Sequence, residues 1–150
     1  MFKREIETEL KDLANGYPIV TVIGPRQSGK TTLVQHAFPE KLYVNLEFPD
    51  IRAMALTDPR RFLEQFPNGA ILDEIQRAPE LLSYIQPLVD EKDQKGMFIL
   101  TGSHQLELQG AISQYLASHP RAHDRRESHA NVFALPGSPK QPAGCLRRCF

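Results

Sequence analysis

The residues best suited to chemistry lie in a glycine-rich segment at positions 24–31, which reads Gly-Pro-Arg-Gln-Ser-Gly-Lys-Thr. The segment matches the phosphate-binding pattern G-x-x-x-x-G-K-[ST] at every fixed position. Glycines allow the backbone to curl so that its N–H groups converge on phosphate oxygens, and the start of a following helix adds partial positive charge. The segment therefore predicts a binding site for the phosphates of a nucleotide.

The side chains of this segment suggest separate roles. Lys30 is expected to neutralise the β- and γ-phosphates, which makes it a candidate catalytic residue. The hydroxyl of Thr31 is the kind of oxygen ligand that Mg²⁺ prefers, and Thr32 is placed to contact the α-phosphate. Arg26 is compatible with a phosphate contact and equally with an exposed position. The predicted nucleotide-binding residues are Gly24, Pro25, Arg26, Gln27, Ser28, Gly29, Lys30, Thr31 and Thr32.

Two adjacent carboxylates, Asp73 and Glu74, end the apolar run Ala-Ile-Leu-Asp-Glu at residues 70–74. Ligands of open α/β sheets bind at the carboxyl ends of the strands. Asp73 is expected to hold Mg²⁺ through water, and Glu74 to act as the general base that polarises the attacking water. Acidic residues after a strand are often only turn formers, but their position behind a phosphate loop favours the catalytic interpretation.

A third group of small polar residues ends the apolar run Phe-Ile-Leu-Thr-Gly-Ser at residues 98–103. Ser103 is the preferred candidate for a group that senses the γ-phosphate or the water, and Thr101 is the second choice. The alternative is a plain turn after a buried strand. His36 and His104 are expected at the surface, so a transition-metal site has little support.

The elements that must position these residues are short apolar runs alternating with amphipathic segments. We predict strands at residues 19–23, 42–46, 70–73 and 97–101, and helices at residues 2–13, 31–38, 60–66 and 105–116. A further helix is expected to open at Pro79, with Pro87 kinking or shortening it. Four buried-type strands alternating with helices predict a doubly wound, mostly parallel α/β sheet of the P-loop NTPase class.

Length and charge exclude several classes of protein. A chain of 150 residues with 41% apolar residues has room for one domain with one core. Its formal net charge is zero, so no global positive field would attract nucleic acid or an anionic membrane. No apolar stretch approaches the roughly 20 residues that span a bilayer, and no secretory signal is visible. We expect a cytoplasmic protein without a membrane partner.

The three motifs together resemble one family. Gly-Pro-Arg-Gln-Ser-Gly-Lys-Thr-Thr-Leu, Ile-Leu-Asp-Glu-Ile-Gln and Phe-Ile-Leu-Thr-Gly-Ser are similar to segments of the AAA-like ATPases of bacteria and archaea that carry a C-terminal domain of uncharacterised function. The resemblance covers residues 1–114. It implies an ATPase core that binds ATP and Mg²⁺, with Walker A at residues 24–31, Walker B at 70–74 and a sensor at 101–103. Members are several hundred residues long, with a fifth core strand and a downstream domain.

The sequence departs from that family pattern in residues 115–150. This segment holds both cysteines, three of the five histidines and four more basic than acidic side chains. The family's Leu-Ala-Gly-Arg segment, whose arginine is a candidate finger, is not matched. We therefore expect residues 1–114 to form an incomplete ATPase core and residues 115–150 to be a disordered or out-of-frame tail. Without the fifth strand, the strand at residues 19–23 would be an uncovered apolar edge, and stability would be marginal.

Three functions follow as alternatives from these motifs. The first is ATP binding with Mg²⁺-dependent hydrolysis. The second is a nucleotide-binding fragment with negligible hydrolysis, because the finger and the fifth strand are missing. The third, a small-molecule kinase, is weakened because an Asp-Glu pair suits water activation better than delivery of an acceptor. ATP is the expected partner, self-association is expected only of a full-length form, and charge gives no indication of a nucleic-acid partner.

Overall fold

The computed structural model describes residues 2–25, 29–92, 94–102 and 129–133. The helices are α1 (Phe2–Gly16), α2 (Lys30–Ala37), α3 (Pro49–Thr57), α4 (Pro59–Glu64) and α5 (Leu81–Lys92). The strands are β1 (Ile19–Ile23), β2 (Leu42–Asn45), β3 (Ala70–Asp73), β4 (Phe98–Gly102) and β5 (His129–Phe133), and a 3₁₀ turn covers Ile75–Arg77.

The strands form one parallel sheet in the order β2-β3-β4-β1-β5. Asn45 of β2 lies level with Asp73 of β3, and Ile23 of β1 lies level with Gly102 of β4. The carboxyl ends of these four strands therefore meet at one edge. The motifs that follow β1, β3 and β4 are brought together at this carboxyl edge of the sheet.

Helices cover both faces of the sheet, which explains why the strands are apolar along their whole length. Helices α1 and α2 pack on one face against a buried cluster that includes Val20, Ile71 and Ile99. Helices α4 and α5 and the 3₁₀ turn pack on the other face against Leu72 and Leu100. All residues of β1, β3 and β4 are buried. A three-layer core of this kind fixes the strand ends rigidly beneath the candidate site.

The predicted α/β fold with four core strands is confirmed, and the four strands match their expected positions within one residue. Helix α3 was not predicted, and α5 begins at Leu81 rather than Pro79. Pro87 lies inside α5 and does not end it. The helix expected at residues 105–116 lies outside the described residues. In the part of the chain described, no helix combines the length and apolarity needed to cross a bilayer.

A fifth strand is present, contrary to the expectation that it is missing. Strand β5 pairs in parallel with β1, so that Ile19 lies level with His129 and Ile23 with Phe133. Strand β1 is therefore an interior strand, and the expected uncovered edge is corrected. The reason is that backbone pairing needs only an extended run without proline, which residues 129–133 supply whatever their origin. That residues 115–150 are read out of frame remains a hypothesis.

Candidate functional site at the carboxyl edge of the sheet

The glycine-rich loop leaves the sheet where β1 ends. The backbone N–H of Gly24 donates a hydrogen bond to the carbonyl oxygen of Gly102 at 3.2 Å, which ties the start of the loop to the end of β4. Gly24 is buried and Pro25 is exposed. The loop returns at Gly29, directly before α2. Residues 26–28, which include the predicted Arg26, Gln27 and Ser28, lie outside the described residues, and so does Ser103.

Gly29 joins the loop to α2 in a conformation that favours glycine. Its φ is +83° and its ψ is 16°, in the left-handed region. Its carbonyl oxygen accepts a hydrogen bond from the N–H of Leu33 at 2.9 Å, so the first turn of the helix is already formed. The start of a helix after such a glycine is a common binding place for phosphate groups.

Lys30 contacts the described start of the loop. The residue is 5% exposed, and its Nζ donates a hydrogen bond to the carbonyl oxygen of Pro25 at 2.8 Å. The ammonium group is thus held beside Pro25. A phosphate placed there would meet a positive charge that is already oriented, at little further cost in side-chain entropy.

Asp73 is the centre of the site. It is 3% exposed, and its Oδ2 accepts a hydrogen bond from the Thr31 hydroxyl at 2.8 Å. The Tyr43 hydroxyl also donates to Oδ2, and the Thr101 hydroxyl donates to Oδ1. Burying a carboxylate is costly unless such partners are present. Three hydroxyl donors from α2, β2 and β4 therefore stabilise one charged group and fix its orientation.

Thr101 connects Asp73 to Glu74. Its hydroxyl donates to Asp73 and accepts a hydrogen bond from the backbone N–H of Glu74 at 3.3 Å. Thr101 is fully buried. Thr101, the second-choice sensor candidate, therefore fixes the end of β3 at Asp73 and Glu74.

Glu74 adopts a backbone conformation that is uncommon for its residue type. Its φ is +61° and its ψ is 48°, and it is the only non-glycine residue with positive φ among those the structure describes. The left-handed conformation costs an L-residue roughly 1–2 kcal/mol, and such strain clusters at functional sites. The Gln76 side-chain amide donates to Glu74 Oε2, so the carboxylate is held at the edge of the site.

Tyr43 belongs to the site although it lies in none of the three sequence motifs. Burial and the neighbouring Asp73 carboxylate raise the pKa of the Tyr43 phenol well above its usual value. The phenol therefore remains a proton donor in the physiological range. Its strand was predicted correctly, but the contact depends on the order of β2 and β3 in the sheet, which the sequence does not state.

The donor set fits a magnesium ion. Thr31 supplies a hydroxyl oxygen and Asp73 a carboxylate beside it, and Mg²⁺ is commonly held by one or two carboxylates together with phosphate oxygens and water. The structure thus brings Lys30, Thr31, Asp73 and Glu74 together.

Two other residues of α2 that the sequence singled out are exposed. Thr32 is exposed at the start of the helix. His36 is also exposed, and its Nδ1 is hydrogen-bonded to Oε1 of Glu7 in α1 at 2.9 Å.

Comparisons with known proteins agree with this geometry. A family model described as an AAA domain matches residues 16–124. Uncharacterized proteins of Mycobacterium bovis and Mycobacterium tuberculosis are each 34% identical to this chain over 118 residues, which is 77% of this chain and 26% of the relative. The chain therefore spans about a quarter of the length of these relatives.

Two solved structures share the fold. A DNA replication initiation factor superposes with a TM-score of 0.55 at 18% identity, over 85% of this chain and 44% of its own. AMPPCP-bound DnaA from Aquifex aeolicus superposes with a TM-score of 0.51 at 16% identity, and the match covers 86% of this chain and 44% of the DnaA chain. The family model matches most of the chain, and its match includes all three motifs. The chain belongs to the family of AAA-like P-loop ATPase domains.

Proposed function

We propose that this domain binds ATP and hydrolyses it in a Mg²⁺-dependent reaction. One observation carries the proposal: the hydroxyl of Thr31 and the carboxylate of Asp73 are joined at 2.8 Å, although they lie 42 residues apart in sequence. The contact supports a single site formed by the start of α2 and the acidic strand end. AMPPCP, an ATP analogue, is bound by the similarly folded DnaA of Aquifex aeolicus, which supports adenine nucleotide as the ligand class.

Binding rests on the loop and the start of α2. Backbone N–H groups of the loop and of the first helical turn would donate to the phosphate oxygens. Lys30 would exchange its bond to the Pro25 carbonyl for the β- and γ-phosphates, which is a charge-assisted contact. Thr31 and Asp73 would hold Mg²⁺, which neutralises phosphate charge when it is bound.

Hydrolysis would use Glu74 as the general base. The water oxygen forms a bond to the γ-phosphorus, the bond from that phosphorus to the β–γ bridging oxygen breaks, and the water proton passes to Glu74. The products are ADP and inorganic phosphate. The left-handed backbone of Glu74 supports this role, because such strain clusters at functional sites.

A second candidate is nucleotide binding with negligible hydrolysis. The contact that favours it is the hydrogen bond from Gln76 to Glu74 Oε2, because the amide donor occupies an oxygen that a general base would need for contact with the water.

Binding is tested by measuring the affinity for ATP with and without Mg²⁺. Lys30→Ala should weaken binding about 100-fold, because a charge-assisted contact worth roughly 3 kcal/mol is lost. Lys41→Ala is the matched control, since Lys41 also donates to backbone carbonyls but lies at the opposite edge of the sheet. Equal affinities of the wild type and Lys30→Ala would contradict the proposed site.

Hydrolysis is tested by single-turnover measurement of ADP formation. Glu74→Gln should reduce the rate about 100-fold or more, while ATP affinity stays within about threefold, because general-base catalysis contributes roughly 10²–10⁴. A wild type that binds ATP tightly but shows the rate of Glu74→Gln would select the binding-only candidate.

A further inference from the structure

The Tyr43 hydroxyl occupies a distinctive place in the site. Strand β2 is an edge strand, and its Tyr43 side chain lies on the sheet face covered by α1 and α2, where it packs against the buried cluster of that face. The hydroxyl reaches Asp73 Oδ2, the oxygen that also accepts from Thr31. A phenol from outside the three motifs thus shares the acceptor with the candidate metal ligand.

Two donors on one carboxylate oxygen define its direction more closely than one donor would. Thr31 approaches Oδ2 from the start of α2 and Tyr43 from β2, while Thr101 holds Oδ1 from β4. Tyr43 packs against the buried cluster, and Thr101 is fully buried and also accepts a hydrogen bond from the backbone N–H of Glu74. Both donors therefore hold Asp73 from outside the phosphate loop, whereas Thr31 is the last residue of that loop.

Thr31 would have two roles in the site, as a donor to Asp73 and as a metal ligand, whereas Tyr43 would have only the first. Under the proposed function its oxygen would serve as a metal ligand, so its contact with Asp73 must adjust between the free and the occupied site. Tyr43 has no such second task, and its contact with Asp73 can persist in both states. The carboxylate would then keep its orientation when Thr31 adjusts.

We propose that Tyr43 is a positioning residue for the Mg²⁺-nucleotide site, which it supports by holding the Asp73 carboxylate in place. This inference rests on the proposed function. It predicts that Tyr43 affects the Mg²⁺-dependent part of nucleotide binding and leaves the Mg²⁺-independent part unchanged, because the phosphate contacts of the loop do not involve Asp73. A residue that only packs would alter stability and both parts of binding together.

The experiment compares Tyr43→Phe with Tyr17→Phe in the full chain. Both changes remove one phenol oxygen from a partly buried tyrosine that packs against the same cluster, so Tyr17→Phe is the matched control. The readouts are the Mg²⁺ concentration at half-maximal ATP binding and the ATP affinity in excess chelator. We expect the Mg²⁺ midpoint of Tyr43→Phe to rise about tenfold, as loss of a hydrogen bond to a charged group implies, with Mg²⁺-free affinity within about twofold.

A double-mutant cycle with Asp73→Asn shows whether Tyr43 acts through Asp73. Tyr43→Phe should have no further effect on the Mg²⁺ midpoint once the carboxylate is gone, and an additive effect would overturn the inference. An unchanged midpoint in Tyr43→Phe, or an equal loss with and without Mg²⁺, would also overturn it. A wild type that binds no ATP under either condition would instead refute the proposed function, and the inference with it.

Discussion

Glycine and lysine have different surroundings at the two edges of the sheet, the carboxyl edge and the opposite, amino edge where the strands begin. At the carboxyl edge, Gly29 has φ +83°, and no described atom lies within 4 Å of the position where a Cβ would stand. At the amino edge, Gly69 has φ +81°, and an added Cβ would lie 1.7 Å from the carbonyl oxygen of Met97. The glycine at the carboxyl edge leaves open space, whereas the glycine at the amino edge permits two segments to touch.

Lys30 and Lys41 show the same difference between the carboxyl edge and the amino edge of the sheet. Lys30 donates to the Pro25 carbonyl within its own loop, where a phosphate could replace the carbonyl. Lys41 donates to the carbonyls of Met97 and Asn68 at 3.1 and 3.4 Å, and so joins two segments of the amino edge. A cleft of about 950 Å³ opens beside Lys41. The two lysines therefore differ in their contacts: Lys30 bonds within one segment, whereas Lys41 bonds between segments.

The largest expected effect is at Gly69. Gly69→Ala should lower the free energy of unfolding by more than about 3 kcal/mol, because the methyl group would overlap a backbone oxygen and the positive φ disfavours alanine. Urea unfolding measures the change. Gly16→Ala is the control, since it has open space at the end of α1, and it should leave stability unchanged or slightly raised. A small loss in Gly69→Ala would mean that the two edges are not packed differently.

At Gly29 we expect a smaller loss of stability and a clear loss of binding. Gly29→Ala should cost about 1 kcal/mol of unfolding free energy, because the left-handed conformation is unfavourable but space is open. ATP affinity should fall several-fold, since the N–H groups of the first turn would be redirected. The test is calorimetric binding alongside urea unfolding. Stability loss equal to that of Gly69→Ala would remove the contrast between the two glycines.

Glu74 offers a test of backbone strain at the carboxyl edge. Glu74→Gly should be more stable than Glu74→Ala by about 0.5–1 kcal/mol, because glycine adopts φ +61° without strain. The usual order of alanine and glycine inside regular structure is the reverse. Thermal unfolding of the two variants decides the order, and both should lack hydrolysis. An alanine variant that is the more stable would show that the left-handed conformation at Glu74 costs nothing.

The smallest effect is a pH dependence at Lys41. Burial lowers the pKa of the Lys41 ammonium in the folded state, so the charged form is penalised there relative to the unfolded chain. At a pH below the pKa of Lys41 in the folded state, this penalty on stability is complete. As the pH rises from that pKa toward the ordinary pKa of lysine, the folded state loses its proton first and the penalty is relieved. Stability should therefore rise slightly with alkaline pH, because solvent screens this partly exposed group. Lys41→Met should abolish this slope, whereas Lys95→Met, at an exposed position of the same cleft, should keep it.

Much of the site was predictable because its motifs are local. The spacing of Gly24, Gly29, Lys30 and Thr31 is a local property of the sequence, so it can be read without knowledge of the fold. The acidic pair at Asp73 and Glu74 is likewise local. Helix α3 was missed because Pro49–Thr57 has only one buried residue, Ala55, so its apolar periodicity is weak.

Long-range pairing accounts for what the sequence left open. Nothing local shows that β2 lies beside β3, yet this neighbourhood alone brings the Tyr43 hydroxyl to Asp73. Nothing local shows that residues 129–133 pair with β1, because any extended run without proline could supply the same hydrogen bonds. By itself, the sequence determined where the phosphate-binding pattern and the acidic strand end lie in the chain. Only the tertiary structure decided which hydroxyls share the Asp73 carboxylate, because strand order and register, rather than residue spacing, set those contacts.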